Sequence, residues 1–323
     1  MHGRASLAQM GAFMMALRSK RETVQELTGL VDVMLDNAVK LETGSDALDI
    51  VGTGGDLVGT VNISSMASIV AAAAGVPVLK HGSRSASGKT GSSEMLEELG
   101  IRLDLSPSQV AQVFAKEGIT FFFAPVFHPA MRHVAPARKE LGVPTTFNFL
   151  GPLANPAQPI ATALGVADAE IAPLMAAELA TRGRTAIVFR SNDGLDELST
   201  TSDNAIWQVS KGAIETFTFD AREIGIERVS VDALLGGDAR HNAQIAKKLF
   251  SGEEFQNSKA ISDIVCLNAA VGITAYDLAK DSKEPETEIN QRLSVAFAKA
   301  QTALTSGAAL AKTKHWSFLT QTI

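Results

Sequence analysis

The spacing of apolar residues divides the chain into helices first and alternating strands and helices later. Leu7, Met10, Phe13, Met14 and Leu17 recur at helical intervals over residues 6–19, with Ser6 placed to cap them. A second helix is expected from Thr23, where Thr23-Val24-Gln25-Glu26 has the form of a capping box. Leu27, Leu30, Val31, Met34 and Leu35 then make one apolar stripe. Two helices of this size do not fold alone, so they are expected to pack on other helices or on a second subunit. The period then changes. Residues 47–51 are a short apolar run that reads as a buried strand, 66–74 as a small-residue helix, 76–79 as a strand and 93–99 as a helix. Ser106-Pro107-Ser108-Gln109 is another capping box, opening a helix to about residue 116, and Phe121-Phe122-Phe123 is an apolar segment expected to be buried. A helix from Pro129 is disturbed at Pro136 and ends at Gly142, and residues 143–156 form a proline- and asparagine-containing connector with the character of a hinge. Beyond Asp168 a helix is expected over 171–181 and strands over 185–189, 205–209 and 213–219, the last two able to pair. Helices follow over 239–250, 261–275 and 289–304. This alternation argues for an α/β fold: a small helical domain from residues 1–46 and 107–142, and a larger α/β domain from 47–106 and 143–323, with a central mixed or parallel sheet.

Composition narrows the classes. The 323 residues carry 29 Lys and Arg against 35 Asp and Glu, a net charge of −6. That balance disfavours general nucleic-acid binding, and attraction of an anionic substrate has to be local. The single cysteine, Cys266, excludes an internal disulfide and fits a reducing compartment. The N-terminus has no secretory pattern and no uninterrupted apolar run approaches the roughly 18 residues of a membrane span, so a cytoplasmic protein with no membrane partner is expected.

The chemistry is concentrated in residues 47–100. The first strand stops at Gly52-Thr53-Gly54-Gly55-Asp56, with Gly59 in the same loop, and Asn62-Ile63-Ser64-Ser65 leads into the next helix. A glycine loop, a hydroxyl-rich turn and a helix N-terminus together gather free backbone N–H groups, the ingredients of a phosphate cradle. The second strand delivers Lys80-His81-Gly82-Ser83-Arg84 into another small-residue loop, Ser85 to Ser92. Neither loop is GxGxxG or a Walker loop. Two such loops on adjacent strands imply a ligand with more than one phosphate. Asp196-Glu197 is a carboxylate pair in a turn opened by Asp193-Gly194; oxygen ligands beside a polyphosphate point to Mg²⁺.

Gly52-Thr53-Gly54-Gly55-Asp56, Asn62-Ile63-Ser64-Ser65, the Lys80-His81-Gly82-x-Arg84 segment with its serine–glycine loop, the run from Phe127 to Ala157 and Asp193-Gly194-Leu195-Asp196-Glu197-Leu198 together resemble the anthranilate phosphoribosyltransferases, over nearly the whole chain. The resemblance implies a helical dimerisation domain, hence a homodimer, beside an α/β domain of the nucleoside phosphorylase and phosphoribosyltransferase class, with the active site at their hinge. It begins near that family's second helix. It implies transfer of the phosphoribosyl group of phosphoribosyl pyrophosphate to anthranilate in tryptophan biosynthesis. Alternatives are another aromatic amine as acceptor, or a pyrimidine nucleoside phosphorylase-like activity; a non-catalytic nucleic-acid-binding relative fits neither the acidic charge nor the retained acids. Implied contacts to phosphoribosyl pyrophosphate are Gly52, Gly55, Asp56, Thr60, Asn62, Ile63, Ser64, Ser65, Lys80, His81, Gly82, Arg84, Ser87, Gly88 and Ser92. Implied contacts to anthranilate are Gly52, His81, Ser83 and Arg138, and Mg²⁺ falls to Ser64, Asp196 and Glu197. Arg138 suits a carboxylate as a forked donor, His128 and Pro152 are placed to shape the pocket, and an arylamine, neutral at pH 7, calls for no general base. This chain departs from the family at Ser83, where asparagine is usual, at Leu57, where glycine is usual, at Ser65, where threonine is commoner, and at Met131, often aromatic.

Overall fold

The computed structural model describes residues 3–84, 91–281 and 288–323. Helices α1 (Leu7–Lys20) and α2 (Val24–Asp36) start at the caps legible in the sequence: Thr23 and Glu26 form the expected capping box, exchanging side-chain bonds to each other's backbone N–H, and the Ser6 cap proves to be a box as well, with Gln9. Their apolar faces go to different places. Met14 of α1 packs with Val134 and Ala137, whereas Leu27, Val31 and Met34 of α2 pack against the α/β body.

The body is one seven-stranded sheet. β1 (Leu48–Gly52), α3 (Ile63–Ala73), β2 (Val78–Gly82), α4 (Ser92–Glu98), α5 (Pro107–Glu117) and β3 (Ile119–Phe123) run outward to one edge. The short α6 (Ala124–Phe127), α7 (Ala135–Leu141) and the connector then return the chain to the other side of β1. There β4 (Ala161–Gly165), α8 (Ile171–Thr181), β5 (Thr185–Ser191), β6 (Asn204–Ser210) and β7 (Ala213–Phe219) complete the sheet in the order β3-β2-β1-β4-β5-β6-β7. The first five strands in that order are parallel, and β6 and β7 are antiparallel. The chain therefore leaves β1 in one direction and β4 in the other, making a switch point between them, where open α/β sheets hold their ligands.

Of the last four helices, α9 (Ala239–Ser251), α10 (Ser258–Lys280), α11 (Ile289–Thr305) and α12 (Ala308–Thr322), α10 covers the sheet together with α3, and the other three pack onto the helices around them. α10 crosses the middle, packing on α3, β1, β4 and β5. It approaches so closely that a Cβ on Gly272 would stand 2.7 Å from Ile50 Cδ1. By length and composition α10 could cross a membrane, but 83 % of its apolar window is buried inside the protein, the mark of a core helix. The sequence pattern alone does not mark this segment as a span, because Asp263 and Asn268 interrupt the run.

Segment 107–142, expected wholly in the helical domain, divides. β3 pairs with β2 along its length, from Val78↔Ile119 to Gly82↔Phe123, and α5 packs on β3 and α12, so residues 107–123 are part of the sheet layer. Only α7 and the 3₁₀ turn before it (Pro129–His133) turn away from the sheet, and α7 packs on α1. The reason is aromatic burial: Phe121 and Phe122 at β3 find their cover in the core.

Candidate active site

The carboxyl end of β1 is built around contacts only glycine permits. Asp196, in the loop after β5, lies across the ends of β1 and β4, and its Oδ2 accepts a 2.6 Å bond from Gly54 N–H. A Cβ on Gly52 would stand 2.3 Å from Asp196 Oδ2, and one on Gly165 1.7 Å from the Asp196 carbonyl oxygen. Glycine at both strand ends therefore lets the acidic loop close onto the switch point. Thr53 joins the two strands there: its N–H donates to Gly165 O (3.0 Å) and its hydroxyl accepts from Ala167 N–H (3.2 Å).

Beyond Gly54 the backbone alternates in sign. Gly55, Leu57 and Gly59 have φ of +88°, +59° and +78°, while Asp56 and Val58 do not turn left-handed. Backbone of alternating hand is the kind from which anion-binding nests are made. Leu57 holds its left-handed angle without glycine's freedom, and its side chain is 76 % exposed. Asp56 closes the turn by accepting from Val58 N–H (3.3 Å). The loop's exit is anchored through Gly236 N–H on Gly59 O (2.9 Å), a bridge from Thr60 to Leu235, and Val61 N–H on Leu234 O (3.0 Å). Asn62 Nδ2 donates to Gly91 O (3.2 Å), tying the first loop to the second. Ile63 and Ser65 are buried on α3, and Ser65 Oγ has no hydrogen-bond partner among the described residues.

Lys80, on β2, reaches across to β1 and to the start of α3. It is 1 % exposed, its Nζ donates to Ile50 O (2.6 Å) and it reaches Ser64 Oγ at 3.5 Å. The Glu197 carboxyl lies close to the Ser64 backbone N–H and in the field of Lys80. Burial, then repulsion from Asp56, pushes Asp196 up to about 7; burial, then Asp196, pushes Glu197 well above the usual carboxylate range; burial raises Asp56. Three acids that resist ionising side by side, with one buried ammonium nearby, form a site short of positive charge. They are not a ready cage: among the described residues no group of three His, Cys, Asp or Glu is placed to hold a metal by itself. An all-oxygen set of two carboxylates and the Ser64 hydroxyl fits a hard divalent cation that draws its other ligands from a substrate or water.

The second loop is only partly described. Ser87 and Gly88 lie outside the described residues. Gly82 is hemmed in, since a Cβ there would stand 2.7 Å from both Phe121 Cζ and Ser92 Oγ. Arg84 is exposed, ion-paired to Glu97 (2.9 Å) and set over the Phe123 ring. Ser83 accepts through its carbonyl from Ser92 Oγ (3.4 Å).

His81 is buried on β2. Its Nδ1–H donates to Gly151 O (3.1 Å), which leaves Nε2 as a buried acceptor with no partner among the described residues. Burial, reinforced by His128 5.1 Å away, lowers its pKa to about 3, so the ring is neutral. The hinge is pinned beneath it: Asp49 accepts from His81 N–H (3.1 Å) and from Asn155 Nδ2 (2.8 Å), and the same Nδ2 donates to Leu79 O (2.8 Å). Arg138, on α7, is half-buried, and its guanidinium makes no hydrogen bond or ion pair among the described residues. The structure thus brings Gly52, Asp56, Ser64, Lys80, Asp196 and Glu197 together, with Arg138 carried by α7 of the helical part.

Sequence reasoning missed Asn268. Fully buried on α10, it accepts from Leu198 N–H (3.0 Å) and donates to Leu198 O (2.9 Å), clamping the acidic loop one residue beyond Glu197. An asparagine inside an apolar helix was the signal available.

The comparisons agree with this geometry. Residues 44–310 match the glycosyl transferase family α/β domain, and residues 1–38 match that family's helical bundle domain. An anthranilate phosphoribosyltransferase of Leifsonia xyli subsp. xyli is 50 % identical over 316 residues, 98 % of this chain and 89 % of the relative. This chain belongs to the anthranilate phosphoribosyltransferase family. Among solved members, the Thermus thermophilus enzyme superposes with a TM-score of 0.88 at 37 % identity, over 99 % of this chain and 92 % of that one. The Saccharomyces cerevisiae anthranilate phosphoribosyltransferase, solved in complex with PRPP and Mg, gives a TM-score of 0.87 at 27 % identity, over 98 % and 86 %.

Proposed function

We propose that this chain transfers the phosphoribosyl group of phosphoribosyl pyrophosphate to the amine of anthranilate, giving N-(5-phosphoribosyl)anthranilate and pyrophosphate. The observation that carries the reading is the docking of the Asp196-Glu197 loop on the glycine loop, with Lys80 bonded to β1. Membership in the family supports it.

The glycine loop, Lys80 and Ser92 hold phosphate oxygens, with Asp56, Thr60 and Asn62 on ribose or phosphate. Ser64, Asp196 and Glu197 hold Mg²⁺, which when bound neutralises charge growing on the departing pyrophosphate. The amine lone pair forms the N–C1 bond as the C1–O bond to pyrophosphate breaks, and the nitrogen then sheds its proton. Little covalent help is needed, so rate comes from placing the amine in line and from fixed charge at the leaving group. Neutral His81 and cationic Arg138 receive the acceptor, Arg138 at its carboxylate. Residues 3–38 and 129–142 make the helical part. Exposed Leu7, Phe13 and Val33 on α1 and α2 support a homodimer through it, and the lone reduced Cys266 supports a cytoplasmic setting.

The test is loss of anthranilate fluorescence on adding phosphoribosyl pyrophosphate, with Mg²⁺ and with excess EDTA. A decay that EDTA abolishes is expected. Folded protein that binds the ribosyl donor by calorimetry yet leaves the fluorescence unchanged would rule out anthranilate as acceptor.

A further inference from the structure

Asn62 stands at the N-cap of α3, where an asparagine side chain ordinarily accepts a hydrogen bond from the first turn of its own helix. Here it makes no such bond. Its Oδ1 instead accepts from Asn242 Nδ2 (2.9 Å), and its Nδ2 donates to Gly91 O (3.2 Å). Asn242 is 1 % exposed on the first turn of α9, and its own Oδ1 accepts from Gly237 N–H (2.8 Å). That bond fixes which way the Asn242 amide faces, because a flipped amide would set NH₂ against an N–H donor. With Asn242 fixed, the only complementary orientation for Asn62 is Oδ1 toward α9 and NH₂ toward Gly91. The polarity of the whole relay, Gly237 to Asn242 to Asn62 to Gly91, is thus set by one buried amide. Gly236 makes room for it: a Cβ there would stand 2.6 Å from Asn242 Oδ1.

We propose that Asn242 is a positioning residue for the ribosyl donor. It diverts the Asn62 side chain from capping α3, keeps that helix N-terminus open to phosphate, and locks the first loop to the second. The inference rests on the proposed function, and binding of phosphoribosyl pyrophosphate reads it directly.

The experiment is a double-mutant cycle of Asn242→Ala and Asn62→Ala, with Asn242→Asp beside it, followed by calorimetric binding of phosphoribosyl pyrophosphate and by KM for each substrate. Asn242→Ala is expected to weaken donor binding about tenfold and leave the anthranilate KM within about twofold, as loss of one ordered polar bridge to a charged ligand does. In the Asn62→Ala background the same change is expected to alter donor affinity by less than about twofold, because the two residues act as a unit. Asn242→Asp keeps the size and the acceptor for Gly237 but turns an oxygen on Asn62 Oδ1. It is expected to reproduce the loss, and it decides the matter should the alanine variant not fold. Equal weakening in both backgrounds, a fall in thermal stability with unchanged donor affinity, or normal binding by folded Asn242→Asp would overturn the inference alone. Wild-type protein that binds no phosphoribosyl pyrophosphate would overturn the reading beneath it and the inference with it.

Discussion

The two sides of the site are made differently. On the side that meets the glycine loop, the main groups are already spoken for: Asp196 on Gly54, Lys80 on Ile50, Asn268 on Leu198. On the side proposed for the acceptor the groups are held but uncommitted: among the described residues His81 Nε2 has no partner, and Arg138 carries an unpaired, half-buried charge. The first side is a fixed mould whose parts support the fold as well as the chemistry. The second is a set of waiting contacts. Damage to the mould is therefore expected to cost stability and turnover together, and damage to the contacts to cost only affinity for one substrate.

The sharpest way to break that distinction is Gly165→Ala. Its Cβ would fall 1.7 Å from a backbone oxygen that has no free rotation to escape. Loss of about 3 kcal/mol of stability or more, together with loss of turnover, is expected from chemical denaturation and the fluorescence assay. Full stability with lost turnover would show that the mould does not support the fold. Next comes Arg138→Ala, expected to raise KM for anthranilate roughly 10- to 100-fold. The unfolding free energy should change by less than about 0.5 kcal/mol and the donor KM should hold, as for a change outside packed contacts. A rise in the donor KM instead would move Arg138 to the other side of the comparison.

The effect spread over the widest pH range is at the border, where buried Asp49 has its pKa raised to about 6 by desolvation, against the pull of Lys80, Asn155 and the His81 N–H. A carboxyl with a raised folded value favours the folded state while protonated. That contribution is complete below the ordinary value of 3.8 and disappears as pH rises through about 6. Asp49→Asn, neutral throughout, should flatten the stability–pH curve between those values, by on the order of 2–3 kcal/mol at most. Melting curves taken from pH 4 to 7 read it; an unchanged slope would place the titration elsewhere.

Much of this was legible in the chain. The Ser6 cap and the Thr23 capping box form as written, α8 spans the residues its apolar period marked, and the β6–β7 pair closes as its two runs suggested. The loops were legible because glycine, hydroxyl and acid appear there in tight order. What escaped was set by tertiary contact. β4, Ala161-Thr162-Ala163-Leu164-Gly165, has little intrinsic strand preference and is small because β1, β5 and α10 crowd it and Asp196 covers its end. α12 has apolar residues spread around its circumference, so no stripe announced it. Residues 107–123 read as part of the helical domain because nothing local distinguishes a strand that pairs in the sheet from one that does not. Asn268 and Asn242 act on backbone and side chains tens of residues away or more, which no window along the sequence can reveal.

The position of α10 has a consequence for how the chain comes into being. The helix that covers β1, β4 and β5 is encoded by residues 258–280, some two hundred residues after β1. During synthesis the strands emerge first, and the apolar surface formed by Leu48, Ile50, Ala161, Ala163 and Ile187 waits for its cover until the last fifth of the polypeptide leaves the ribosome. Contacts of such long sequence separation form slowly, and unfinished sheets are prone to associate. A nascent chain stopped short of α10 is therefore the form of this protein most in need of a chaperone.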